Sequence, residues 1–85
     1  MPYSIRFTPR ALRDFSAFDR PTHQRLRRRI DRLAEDPFPA GAKKLQAEEH
    51  FYRVRVGDYR IIYQVEPKEL LVVVVKIGHR REVYR

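Results

Sequence analysis

Residues 51–77, FYRVRVGDYRIIYQVEPKELLVVVVKI, decide the fold. The opening FYRVRV sets Tyr52, Val54 and Val56 against Arg53 and Arg55, the period-two pattern of a half-buried strand. Gly57-Asp58, flanked by β-formers, predicts a tight turn into YRIIYQVE. Pro67-Lys68 predicts a second turn into ELLVVVVKI, so the stretch reads as a three-strand antiparallel meander. A two-residue first turn places Val56 opposite Tyr59 and Arg55 opposite Arg60. A two-residue second turn aligns Arg60 with Val75 and brings Ile77 to the same face. Arg53, Arg55 and Arg60 then share one side of the sheet near one end, and like charges directly opposed across a ladder are unfavourable. That cluster is the strongest functional pointer in the residues themselves. Tyr52 and Tyr63 are expected near one another on the apolar face. In the last strand both alternating sets are apolar, which predicts a cover on each face, the helices on one and a partner on the other.

Upstream, PYSIRF alternates Tyr3, Ile5 and Phe7 against Ser4 and Arg6 and predicts a strand over 3–7. Thr8-Pro9 is a helix start, hydroxyl at the N-cap and proline at N1. The helix it opens is expected over 9–18, with Leu12, Phe15 and Phe18 as its apolar stripe. Asp19-Arg20-Pro21 interrupts it and starts a second helix over 21–35, where Leu26, Ile30 and Leu33 recur on one side and arginines crowd the flank. Asp36-Pro37 ends that helix, because a residue before proline is pushed out of the helical region. Residues 37–41 are a loop, 42–46 read equally as a short strand or an extended segment, and 47–50 are a polar connection. Gly78 is expected to close the last strand, leaving HRREVYR as a tail. The pattern is α+β: two N-terminal helices packed on a mostly antiparallel four- or five-stranded sheet, in a single domain over 1–85. Where the first strand joins the sheet does not follow from the pattern.

Composition narrows the chemistry. The 85 residues include no cysteine, which excludes disulfides and thiolate metal sites, and the three histidines are not spaced as ligands, so neither a metal nor a cofactor is expected. No apolar run approaches the length of a membrane span and no signal-like start is present, so a cytoplasmic protein without membrane contact is expected. A net charge of +8 favours a polyanionic or acidic partner. Over residues 20–32, Arg25, Arg27, Arg28, Arg29 and Arg32 face only Asp31. They read as contacts to such a partner or as a solvated helix face.

The opening YSIRFTPRALRDF, the KKL ahead of the meander, and above all the paired blocks YRVRVGDYRIIYQV and VVVVKIGHRREVY resemble the RelE/ParE toxin superfamily of bacterial type II toxin-antitoxin modules, and RelE-type mRNA interferases in particular. The resemblance covers nearly the whole chain. It implies a toxin neutralised by a cognate antitoxin wrapped around it, with operator DNA bound only by the toxin-antitoxin complex. RelE-type members are implied to cut messenger RNA in the ribosomal A site; ParE-type members inhibit DNA gyrase without catalysis, and that is the alternative function. The positions matching the RelE-type active region are Arg53 and Arg55 before the turn, Arg60 just after it, Arg80 beyond the last strand and Tyr84 near the C-terminus. Arg53 and Arg55 stand where the best-known pattern has lysines. They keep the charge but cannot exchange a proton at neutral pH.

Cleavage by the 2′-hydroxyl of RNA needs no metal. It needs removal of the hydroxyl proton, protonation of the departing 5′-oxygen, and fixed positive charge at the scissile phosphate. Arg55, Arg60 and Arg80 suit the phosphate, with Arg53 beside them; Tyr84 or His79 is the candidate for proton transfer, with ribosomal RNA a further source. A phenol needs cationic neighbours to act as a base near neutrality, and Arg80, Arg81 and Arg85 are placed to supply them. Lys43, Lys44, Arg81 and Arg85 are the expected substrate contacts.

Overall fold

The computed structural model describes residues 2–45 and 50–79. Strand β1 (Ser4–Phe7) leads into helices α1 (Pro9–Ala17) and α2 (Arg20–Glu35), followed by β2 (Lys43–Lys44), β3 (Phe51–Val56), β4 (Tyr59–Glu66) and β5 (Leu71–His79). The five strands form one sheet in the order β1-β5-β4-β3-β2, antiparallel throughout except for the parallel β1–β5 pair. Pairing β1 with β5 joins the N-terminal strand to the meander and leaves β2 as the opposite edge. Residues 42–46 resolve in part: Lys43–Lys44 is a strand, while 46 and 47–49 lie outside the described residues.

Local chemistry explains the elements. Thr8 caps α1, accepting from the Ala11 amide at 3.1 Å, and its hydroxyl donates to the Val75 carbonyl at 2.9 Å, so one side chain ties the helix start to β5. Asp19 caps α2, accepting from the Thr22 amide, and its hydrogen bonds with Thr22 hold its carboxyl below the usual range. The apolar side of α1 is Ala11 and Phe15, with Phe18 packed beside them after the last turn. Leu12, expected in that stripe, is 53% exposed; one residue on from Ala11 it is rotated by about 100° away from the sheet. Leu26, Ile30 and Leu33 of α2 are buried as their spacing predicts.

Both helices lie on one face of the sheet. Val54, Ile61, Tyr63, Val65, Val72, Val74 and Ile77 of the strands meet them there. Tyr52 and Tyr63 are paired across β3 and β4 with ring centroids 5.9 Å apart. The Tyr63 hydroxyl donates to the buried Pro37 carbonyl at 2.8 Å, anchoring the loop after α2.

The second hairpin departs from its expected register. Arg60 pairs with Gly78 rather than Val75, and Ile77 pairs with Ile61 on the helix face rather than standing beside Arg60. Two features cause this. A 3₁₀ turn over Pro67–Glu69, ended by Leu70 in the left-handed region, makes the connection longer than two residues, and a bulge between Ile62 and Tyr63 shifts the ladder further. The slip is two residues up to Val74, which keeps the faces as expected, and three beyond the bulge, which exchanges them for Lys76 to His79. Gly78 therefore lies inside β5, which runs on to His79.

Candidate active site on the open face of the sheet

The face turned away from the helices carries the basic residues. In the first hairpin Arg55 is paired directly with Arg60, and Arg53 with Ile62, so all three arginines lie on this face. Such opposed residues hold their Cβ atoms about 4.5–5.5 Å apart. The register continues outward on both sides. Lys43 pairs with Arg53, and Ile62 with Lys76, giving a row Lys43–Arg53–Ile62–Lys76 across four strands. With strands about 4.8 Å apart the row spans about 14 Å. A second row, Arg55–Arg60–Gly78, lies two residues nearer the turn. Gly78 puts no side chain on the β5 flank of Arg60.

The Arg55 Nε donates to the Gly57 carbonyl at 3.0 Å, drawing its guanidinium toward the turn and easing its repulsion with Arg60. The turn itself requires Gly57, whose φ is +59°. Arg55 is exposed, whereas Arg53 and Arg60 are half-buried. Fixed cations at these spacings suit a phosphodiester, with Ile62 as an apolar floor between them.

Two expected site residues fall on the other face. His79 pairs with Tyr59, and its ring stands edge-on to Tyr59 at 6.0 Å on the helix side, where Tyr59 also meets Phe18. The sheet thus lies between His79 and the arginines, the reverse of a shared acid-base site; the one-residue alternation after Gly78 decides it. Lys44 pairs with Tyr52 and likewise points away from Lys43. Arg80, Arg81, Tyr84 and Arg85 lie outside the described residues. Lys76 was not legible as a member of the basic face, because its side depends on the bulge. Among the described residues no group of histidine and acidic side chains is disposed to hold a metal.

A family model described as the ParE toxin of type II toxin-antitoxin systems matches residues 5–84. The chain belongs to the RelE/ParE toxin superfamily. Within it the similarity runs to RelE-type members. Toxin RelG of Mycobacterium tuberculosis is 28% identical, covering 100% of this chain and 99% of the relative, and the mRNA interferase toxin RelE of Escherichia coli K12 is 28% identical over 99% and 92%. Among solved structures, the RelE of the Pyrococcus horikoshii RelE-RelB complex superposes with a TM-score of 0.83 at 25% identity, covering 98% of this chain and 100% of the other. Isolated E. coli RelE superposes with a TM-score of 0.81 at 27% identity, covering 96% and 90%. The α+β architecture of two helices on a mostly antiparallel sheet is that of the RelE/ParE toxins.

Proposed function

We propose that this chain is the toxin of a type II toxin-antitoxin module and a metal-independent endoribonuclease that cleaves messenger RNA in the ribosomal A site, inhibiting translation. The observation that carries this reading is the paired Arg55–Arg60 row, flanked by Lys43, Arg53 and Lys76 on one sheet face. The similarity to mRNA interferases supports the same chemistry. In the reaction the 2′-oxygen attacks the adjacent phosphorus as its proton leaves, the bond to the 5′-oxygen breaks, and that oxygen takes up a proton. The products are a 2′,3′-cyclic phosphate and a 5′-hydroxyl. Arg55, Arg60 and Arg80 stabilise the charge gathering on the phosphoryl oxygens; Arg53 and Lys43 hold the flanking backbone, with Arg81 and Arg85 as further contacts. Proton transfer falls to Tyr84 or to ribosomal RNA, since His79 is on the opposite face.

The partner that silences the toxin is a cognate antitoxin. RelE toxins in the solved complexes are bound by RelB, and the half-buried Leu71, Val73 and Val75 give an antitoxin an apolar strip beside the basic rows. Operator DNA is engaged only by that complex. Gyrase inhibition is the competing activity, supported by the ParE description of the matching family model. Primer extension on a defined message, with and without ribosomes, separates the two. Cleavage at the A-site codon only with ribosomes present supports the nuclease; intact message together with blocked gyrase supercoiling selects the inhibitor.

A further inference from the structure

The face that carries the basic rows holds a third row beyond them. Two residues along β4 from Ile62, Gln64 pairs with Phe51 of β3 on one side and with Val73 of β5 on the other, and Val73 pairs in turn with Arg6 at the β1 edge. At about 3.4 Å per residue this row stands about 7 Å from that of Arg53 and Lys76, on the side away from the Gly57 turn. The Gln64 Nε2 donates to the Glu66 carboxylate at 2.6 Å, one step further along the same face. An ionised carboxylate only accepts, so this contact settles which end of the amide is nitrogen and holds it toward Glu66. The carbonyl oxygen and the second N–H take no other hydrogen bond among the described residues, and they stand in a fixed order. Phe51 is the other distinctive member of the row. It is half-buried yet lies outside the core, and whereas Phe7, Phe15, Phe18 and Phe38 each meet another ring, Phe51 meets none among the described residues.

We propose that Gln64 reads the base of the message nucleotide whose phosphate lies on the Arg55–Arg60 row, with Phe51 as the surface on which that base stacks. This deepens the nuclease reading and rests on it. Charge runs one way along the face, with cations at the turn end and the Glu66 carboxylate at the other. The phosphate backbone is drawn to the first end, and the uncharged base is left over the second. Bases of single-stranded RNA are recognised in this manner, stacked on aromatic rings and hydrogen-bonded along their edges. An amide supplies an acceptor beside a donor, the pairing that adenine takes from asparagine or glutamine. Adenine and cytosine present an exocyclic amine donor next to a ring acceptor; guanine and uracil present the same two functions in the reverse order. Because Glu66 fixes the order on the protein side, Gln64 pairs with one of these classes and meets the other with donor against donor and acceptor against acceptor.

The test is single-turnover cleavage on programmed ribosomes, with messages that differ in one base of the A-site codon, each position varied in turn. Wild type, Gln64→Leu and Phe51→Leu are compared, each checked by thermal melt. The readout is the ratio of rates between codons with an amino base (adenine, cytosine) and a keto base (guanine, uracil) at that position, which a general loss of folded toxin does not move. In Gln64→Leu the ratio of the faster class to the slower is expected to fall by about 10-fold, the discrimination of one amide–base pairing. In Phe51→Leu it is expected to stay, while the toxin concentration for half-maximal rate rises for every codon, because stacking is tolerant of sequence. An unchanged ratio in Gln64→Leu, or a wild type that cuts all codons alike, overturns the proposal; if Gln64→Leu then also binds the antitoxin more weakly, the row belongs to the antitoxin interface. If wild type cuts no message, the nuclease reading falls, and anisotropy with labelled RNA trinucleotides tests this site by itself. A base preference that Gln64→Leu levels upholds it; the absence of a preference, or one that the variant keeps, overturns it.

Discussion

Gly57 illustrates how much a single residue constrains here. Its φ of +59° is strained for any side chain, and a Cβ would collide with the Arg25 guanidinium. Gly57→Ala is expected to lower stability by about 1–2 kcal/mol, read as a shift in the urea midpoint, and to displace Arg25. Tyr63 is the second such residue. Burial pushes its phenol well above the ordinary value of 10.0. The folded state therefore holds this proton more tightly than the unfolded chain. The resulting stabilisation is complete below the unfolded pKa and is lost as pH rises above about 10. Tyr63→Phe leaves the buried Pro37 carbonyl without its donor, which costs about 1–3 kcal/mol at neutral pH. In the same variant the decline of stability above pH 10 should flatten; a chemical-denaturation series against pH measures both.

At the scale of elements, Thr8 joins α1 to β5 through one hydroxyl with two bonds. Thr8→Ala should cost about 1–2 kcal/mol and Thr8→Ser much less, measured by thermal melting. This cap was legible in the Thr8-Pro9 pair, as were α2 from its Leu26, Ile30 and Leu33 repeat and the first hairpin from Gly57-Asp58. The register of β5 was not. Six consecutive apolar residues from Leu70 to Val75 give no alternation to show which side faces inward, and neither the left-handed Leu70 nor the bulge leaves a mark in such a run. The arginine cluster survived because it depends on the first hairpin alone. The placement of His79 and the membership of Lys76 were lost because they depend on the second. Leu70→Gly removes the left-handed penalty at an exposed position and is expected to leave the fold unchanged or stabilise it by up to about 1 kcal/mol.

Taken whole, the molecule divides its labour between the two faces of one sheet. Apolar side chains meet the helices on one face, and lysine and arginine occupy paired rows on the other, a concentration of charge consistent with the net +8. Unrelieved, these rows oppose folding, so binding a polyanion or an acidic antitoxin should raise the melting temperature, with the gain shrinking as salt screens the attraction. The role proposed for the Arg55–Arg60 row is stabilisation of the transition state of message cleavage. It is tested most directly by single-turnover cleavage on programmed ribosomes, comparing wild type with Arg60→Ala at saturating toxin and with folding verified by melt. The expected result is a rate lowered by about 10²–10³ with A-site binding retained, as for loss of a donor to developing charge. An unchanged cleavage rate in Arg60→Ala would contradict the claim.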